Sequence, residues 1–149
     1  MQIKTILVPT DYSEDSEAAL DMAIGVAIAF GSEVEVFHAY YVDVPMIYAG
    51  FGGDYTMPMD VLDPIRDGAQ AAMDDLLRKV ADCGVTVRGR IAMERPSSAI
   101  LQEADRVEAD LIVMGTRGLT GLEHFVLGST ADRVIRQSTC PVLTAKAES

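Results

Sequence analysis

Short apolar runs alternate with helix-period segments along the whole chain, and this alternation limits the possible folds more than any composition figure does. Ile3 to Val8, Glu33 to Tyr40, Val85 to Met93, Leu111 to Met114 and Val142 to Ala145 read as five strands. The plainest of them, Leu111-Ile112-Val113-Met114, is apolar on both sides of the pleat, as a strand covered on both faces must be. Helical patterns separate the strands, giving four strand–helix steps and a closing strand. That order predicts right-handed crossovers and a parallel sheet with helices on both faces. A chain of 149 residues is long enough for one such core and short for two. The expected architecture is α/β, a single domain over residues 1–149.

Local signals place the helices. Ser13 can cap the first, with Glu14, Asp15 and Glu17 in its first turns, and Gly31 is a natural stop. Glu17, Asp21 and Gly25 mark its solvent stripe, while Ala18 to Phe30 is apolar round most of the circumference and predicts deep packing. Asp63-Pro64 reads as the start of a second helix that keeps Ile65, Ala69, Ala72, Met73, Leu76, Val80 and Cys83 on one face until Gly84. Asp74 with Arg78 and Asp75 with Lys79 are spaced for pairs along its outer side. Arg88 and Arg90 interrupt the third strand, which predicts weaker burial. Arg95-Pro96-Ser97 starts a short helix through Ile100, Ala104 and Val107. From Tyr41 to Asp60 periodicity disappears among prolines, glycines and large apolar residues, a lid, a contact surface or a mobile insert.

Several function classes are disfavoured. The formal charge of −11 argues against non-specific nucleic-acid binding, which needs a basic face. No apolar run approaches the roughly 20 residues that span a bilayer, so no membrane insertion is expected. Met1-Gln2-Ile3-Lys4 lacks the blocks of a signal peptide, and the expected location is the cytoplasm. Cys83 and Cys140, without a second cysteine or histidine cluster, indicate neither a disulfide framework nor a zinc site.

The chemistry concentrates after Met114. Glycines at 115, 118 and 121 precede Gly128-Ser129-Thr130, and then Ala131, Val134 and Ile135 keep helical spacing. An apolar strand running into glycines and a helix start is a way to build an anion site, because backbone N–H groups can close on a phosphate. In an open parallel sheet, ligands sit beyond the carboxyl ends of the strands, where Asp11 and Gly115 fall. Each residue also has a plainer reading. Ser129 with Asp132 fits the [ST]-x-x-[DE] capping pattern, Gly115 and Gly118 suit turns, and Asp11 suits a helix start. No P-loop, no G-x-G-x-x-G after the first strand and no nucleophile elbow with a plausible triad is present. His38 and His124 have no obvious acid partner, and His38 reads as a structural residue.

Gly115-x-x-Gly118, nine residues, then Gly128-Ser129 resembles the nucleotide-binding pattern of the universal stress protein family, in its ATP-binding branch. The resemblance covers the whole chain. ILVPTDYSEDSEAAL is similar to the family's first strand and helix, and DLIVMGTRGLTGLEHFVLGSTADRVIRQSTCPVLTAK to its C-terminal third. It implies a Rossmann-like sheet of order 3-2-1-4-5. It implies that Asp11 lies by the adenosine, that the Ala39 backbone reads adenine, and that Pro9 and Thr10 shape the same wall. Met114 would pack near base or ribose and Gly115 would approach the ribose. Gly118, Gly128, Ser129 and Thr130 would cradle the phosphates, with Mg²⁺ or Mn²⁺ among the phosphate oxygens. Arg117 has two readings, a further phosphate contact or a solvent-facing cation.

The resemblance implies a cytoplasmic regulatory protein in which bound ATP sets conformation or the choice of a still unknown protein partner. No general base is evident, so at most slow hydrolysis is expected. Val142 to Ala145 would pair across a homodimer. The alternatives are a branch without ATP, acting by protein association, and a slow ATPase or adenine-nucleotide hydrolase.

Overall fold

The computed structural model describes residues 2–42, 59–118 and 127–148. In chain order the elements are β1 (Thr5–Pro9), α1 (Glu14–Phe30), β2 (Glu33–Tyr40), α2 (Met59–Lys79), β3 (Val87–Met93), α3 (Pro96–Arg106), β4 (Leu111–Gly115), α4 (Ser129–Gln137) and β5 (Val142–Ala145). The strands form one parallel sheet in the order β3-β2-β1-β4-β5. The expected class, order and two-sided covering are all observed.

Alternation along the central strands builds a core on each face. Ile6, Val8, Val34, Val36, Leu111 and Val113 face α1 and α2, against Ala19, Leu20, Ala23, Ala27, Met73 and Leu76. Leu7, Phe37, Ile112 and Met114 face α3 and α4, against Ala99, Ile100, Ala104, Ala131 and Val134. Each fully buried aliphatic side chain contributes about 1.5–3 kcal/mol, so both layers are firmly held to β1 and β4. Strand order reverses between these two: the chain leaves β1 toward β2 and β3, then returns to β4 and β5.

Ser13 caps α1 by accepting from the Ser16 N–H, and Gly31 closes the helix in the left-handed region at φ 70°. The packing of α1 is one-sided rather than deep. Its alanines at 19, 23 and 27 lie on the sheet, whereas Met22, Ile28 and Phe30 are exposed, because a helix on a sheet offers only one stripe to it. The second helix is described from Met59, so Pro64 lies inside it and not at its start. Pro64 is exposed, so water can serve the Asp60 carbonyl that its missing N–H leaves unbonded. The helix also ends earlier than expected, at Lys79, and a turn carries the chain to Gly84 at φ 88°. Arg78 pairs with Asp75, three residues away, and Asp74 accepts instead from Gln70 at 2.8 Å. The third strand is less buried, as its arginines predicted, and lies at one edge of the sheet.

Candidate functional site

The turn after β1 is built by its own side chains. Asp11 Oδ1 accepts from the Ser13 N–H at 3.1 Å and the Ser13 hydroxyl at 2.5 Å, and Thr10 Oγ1 accepts from the Tyr12 N–H at 3.0 Å. These bonds hold Tyr12 in the left-handed region at φ 63°, a position that costs a non-glycine residue energy. The Thr10 N–H donates to the Phe37 carbonyl at 2.8 Å, and His38 Nδ1 lies 2.8 Å from the Thr10 carbonyl. His38 therefore holds the turn from the α1/α2 side of the sheet, the structural part expected of it.

Beyond β4 three glycines are set by close approach. A Cβ on Gly115 would lie 2.9 Å from the Asp15 backbone carbon, so its bareness lets β4 run against the start of α1. One on Gly118 would lie 2.8 Å from Asp11 Oδ2, and one on Gly128 would lie 3.3 Å from the Thr116 carbonyl oxygen. The two ends of the loop are clasped, since the Gly128 N–H donates to that carbonyl at 2.6 Å.

Gly128 is the N-cap of α4, without a side-chain cap, and Ser129 is the first helical residue. The capping pattern that Ser129 shares with Asp132 is thus not used as a cap; Asp132 accepts from Arg136 at 2.9 Å instead. The first intrahelical bond runs from Asp132 to the Gly128 carbonyl, which leaves the amides of Ser129, Thr130 and Ala131 without intrahelical acceptors.

These pieces meet in one crevice of about 210 Å³ beyond the carboxyl ends of β1, β2 and β4. Pro9, Thr10, Asp11, Ala39, Met114, Gly115, Arg117, Gly118, Gly128, Ser129 and Thr130 all line it, so each residue that the resemblance assigns to nucleotide contact falls on its wall. Phe37, Pro96, Ile100, Thr116, Ser16 and Ala131 line it too and were not foreseen. Phe37 was within reach, being two residues before Ala39 on the same face of a strand. Pro96 and Ile100 were not, because only the tertiary placement of α3 brings them there. The wall is apolar toward β2 and α3, and rich in backbone amides and hydroxyls toward the glycine loop and α4.

Asp15 fixes the electrostatics of the loop. It is 4% exposed and accepts from Thr116 Oγ1, the Arg117 N–H, the Arg117 guanidinium and the Ala147 N–H, at 3.0–3.1 Å. The Arg117 hydrogen bonds, helped by those from Ala147 and Thr116, outweigh burial and hold its pKa down at about 2. Arg117 is thus tied to a buried carboxylate, an arrangement neither of its sequence readings included. Among the described residues lining the crevice Asp11 is the one carboxylate, and among the described residues no cluster of three His, Cys, Asp or Glu could hold a metal.

Comparison with known proteins agrees with this architecture. Residues 2–146 match the model of the universal stress protein family. The universal stress protein MJ0531 of Methanocaldococcus jannaschii is 37% identical over 144 residues, covering 96% of this chain and 82% of that protein. The structure of hypothetical protein MJ0577, from the same organism, superposes with a TM-score of 0.83 at 28% identity, over 100% of this chain and 99% of the other. A universal stress protein in complex with cAMP superposes at 0.71 with 26% identity, over 99% of this chain and 100% of the other. With the family pattern matched from the first strand to the last, the chain belongs to the universal stress protein family.

Proposed function

We propose that this chain is a cytoplasmic regulatory protein that binds an adenine nucleotide, ATP foremost, in the crevice between β1 and β4. One observation carries the reading: three stretches far apart in sequence, each expected to touch a nucleotide, line a single hollow at the reversal of strand order. The apolar wall of Pro9, Ala39, Phe37 and Met114 suits a base and ribose. The amides and hydroxyls of Gly118, Gly128, Ser129 and Thr130 suit phosphates, helped by the α4 N-terminus. The related protein in complex with cAMP supports the adenine nucleotide class.

Mg²⁺ or Mn²⁺ would neutralise the phosphates and be held mainly by them, Asp11 being the one carboxylate among the described residues that line the crevice. Bound nucleotide would act as a ligand that sets conformation or the choice of a protein partner, and hydrolysis would be slow at most. The exposed edge at β5, with Leu143 outward, would pair in a homodimer. Mass spectrometry of small molecules released by denaturing freshly purified protein tests the reading. An adenine nucleotide near one per chain is expected. Protein that releases none, and that takes up neither ATP nor AMP when either is added, would overturn it.

A further inference from the structure

The carboxylate of Asp15 bonds at once to the loop after β4 and to the chain after β5. It projects from the first turn of α1 and is 4% exposed. Its Oδ2 takes the Thr116 hydroxyl, the Arg117 amide and Arg117 Nε; its Oδ1 takes Arg117 Nη2 and the amide of Ala147, beyond the end of β5. A second bond, from the Thr116 N–H to the Ala145 carbonyl at 3.1 Å, ties the same loop to the same strand. Thr116 in turn receives the Gly128 N–H at the start of α4. Loop, last strand and helix start therefore converge on one charged group that lies outside the residues lining the crevice.

We propose that Asp15 is a positioning residue for nucleotide binding, holding the backbone of Thr116 and Arg117 in its binding shape and transmitting occupancy of the crevice beside them to the chain after β5. The proposal rests on the nucleotide reading above. Charge-assisted hydrogen bonds are about twice as strong as neutral ones, so a buried carboxylate with this donor set fixes the backbone of Thr116 and Arg117 before any ligand arrives. A ligand that further immobilises the loop must also steady its other tether, the Ala147 amide. The same carboxylate keeps the Arg117 guanidinium, so affinity comes from loop shape rather than from a cation delivered to the phosphates.

The test is Asp15→Asn, with affinities for AMP and for ATP with Mg²⁺ measured by calorimetry, and amide exchange at Ala147 followed with and without saturating nucleotide. Both affinities should fall by a similar factor, roughly tenfold, or about 1.4 kcal/mol. In the wild-type chain nucleotide should slow exchange at Ala147, and in the variant it should not. Thr116→Val, which removes a single bond to the same carboxylate, should weaken both nucleotides about two- to threefold and serves if Asp15→Asn folds poorly. A variant that gains affinity for ATP relative to AMP would show that Asp15 only withholds Arg117, and would overturn the proposal. So would unchanged protection of Ala147. Wild-type protein that binds neither nucleotide would instead fail the functional reading itself.

Discussion

At the scale of the residue, the three glycines of the pattern serve different ends. Gly115 packs β4 against the Asp15 backbone, so Gly115→Ala should destabilise the fold by about 1–3 kcal/mol, read as a lower urea midpoint. Gly118 is exposed and its bareness makes room beside Asp11 at the crevice wall. Gly118→Val should cost little stability and at least tenfold in nucleotide affinity; a variant with native affinity would move the phosphates elsewhere. Asp15 carries a pH signature of its own. Its folded pKa of about 2 lies below the ordinary 3.8, so its contribution is full above that value and is lost as pH falls through about 2. That contribution is on the order of 2 kcal/mol. Unfolding curves between pH 5 and 2 should fall more steeply for wild type than for Asp15→Asn, and parallel curves would contradict it. The glycine positions were legible because spacing survives in sequence. The tie between Asp15 and Arg117 was not, since 102 residues separate them and Asp15 reads locally as one more acid at a helix start.

At the scale of the element, strand and helix identities followed from pattern, and their ends followed from chemistry where that chemistry is local. Ser13 and Gly31 bound α1 as expected, because capping depends only on neighbours. Pro64 misled, because an exposed proline can sit inside a helix where water serves the carbonyl that it leaves unbonded. Glu103 of α3 shows the other limit. It is 2% exposed and is gripped by Arg90 of β3 and Arg106 of its own helix. Burial would raise its pKa, but the hydrogen bond from Arg106 and the charges of both arginines prevail and lower it. Glu103→Ala should therefore loosen α3 from β3 and cost about 1–3 kcal/mol, with nucleotide affinity changed far less than stability. Equal stability in urea would show the clamp to be idle. In the sequence Arg90 appeared only as an interruption of an apolar strand.

At the scale of the molecule, alternation of strands and helices dictated a parallel sheet, and the family pattern supplied its order. Composition could not supply that order, since local periodicity carries no record of which strands become neighbours. The segment from Tyr41 to Asp60, left open as lid, contact surface or insert, falls largely outside the described residues, as do Gly121 and His124. Both edges of the sheet are strands with exposed side chains, and β5 is the edge beside β4. If β5 pairs with a second copy, light scattering at micromolar concentration should give twice the 16.0 kDa chain mass, and Leu143→Glu should return it to the monomer. A wild-type monomer would leave β5 for another partner.

The crevice itself is tested most directly by calorimetric titration of ATP with Mg²⁺ into wild type and Gly118→Val side by side. One saturable site per chain in the wild type, and a loss of at least tenfold in a variant that still melts cooperatively near the wild-type temperature, is the result expected. No heat of binding in the wild type, or the same affinity in both proteins, would contradict a nucleotide site between β1 and β4.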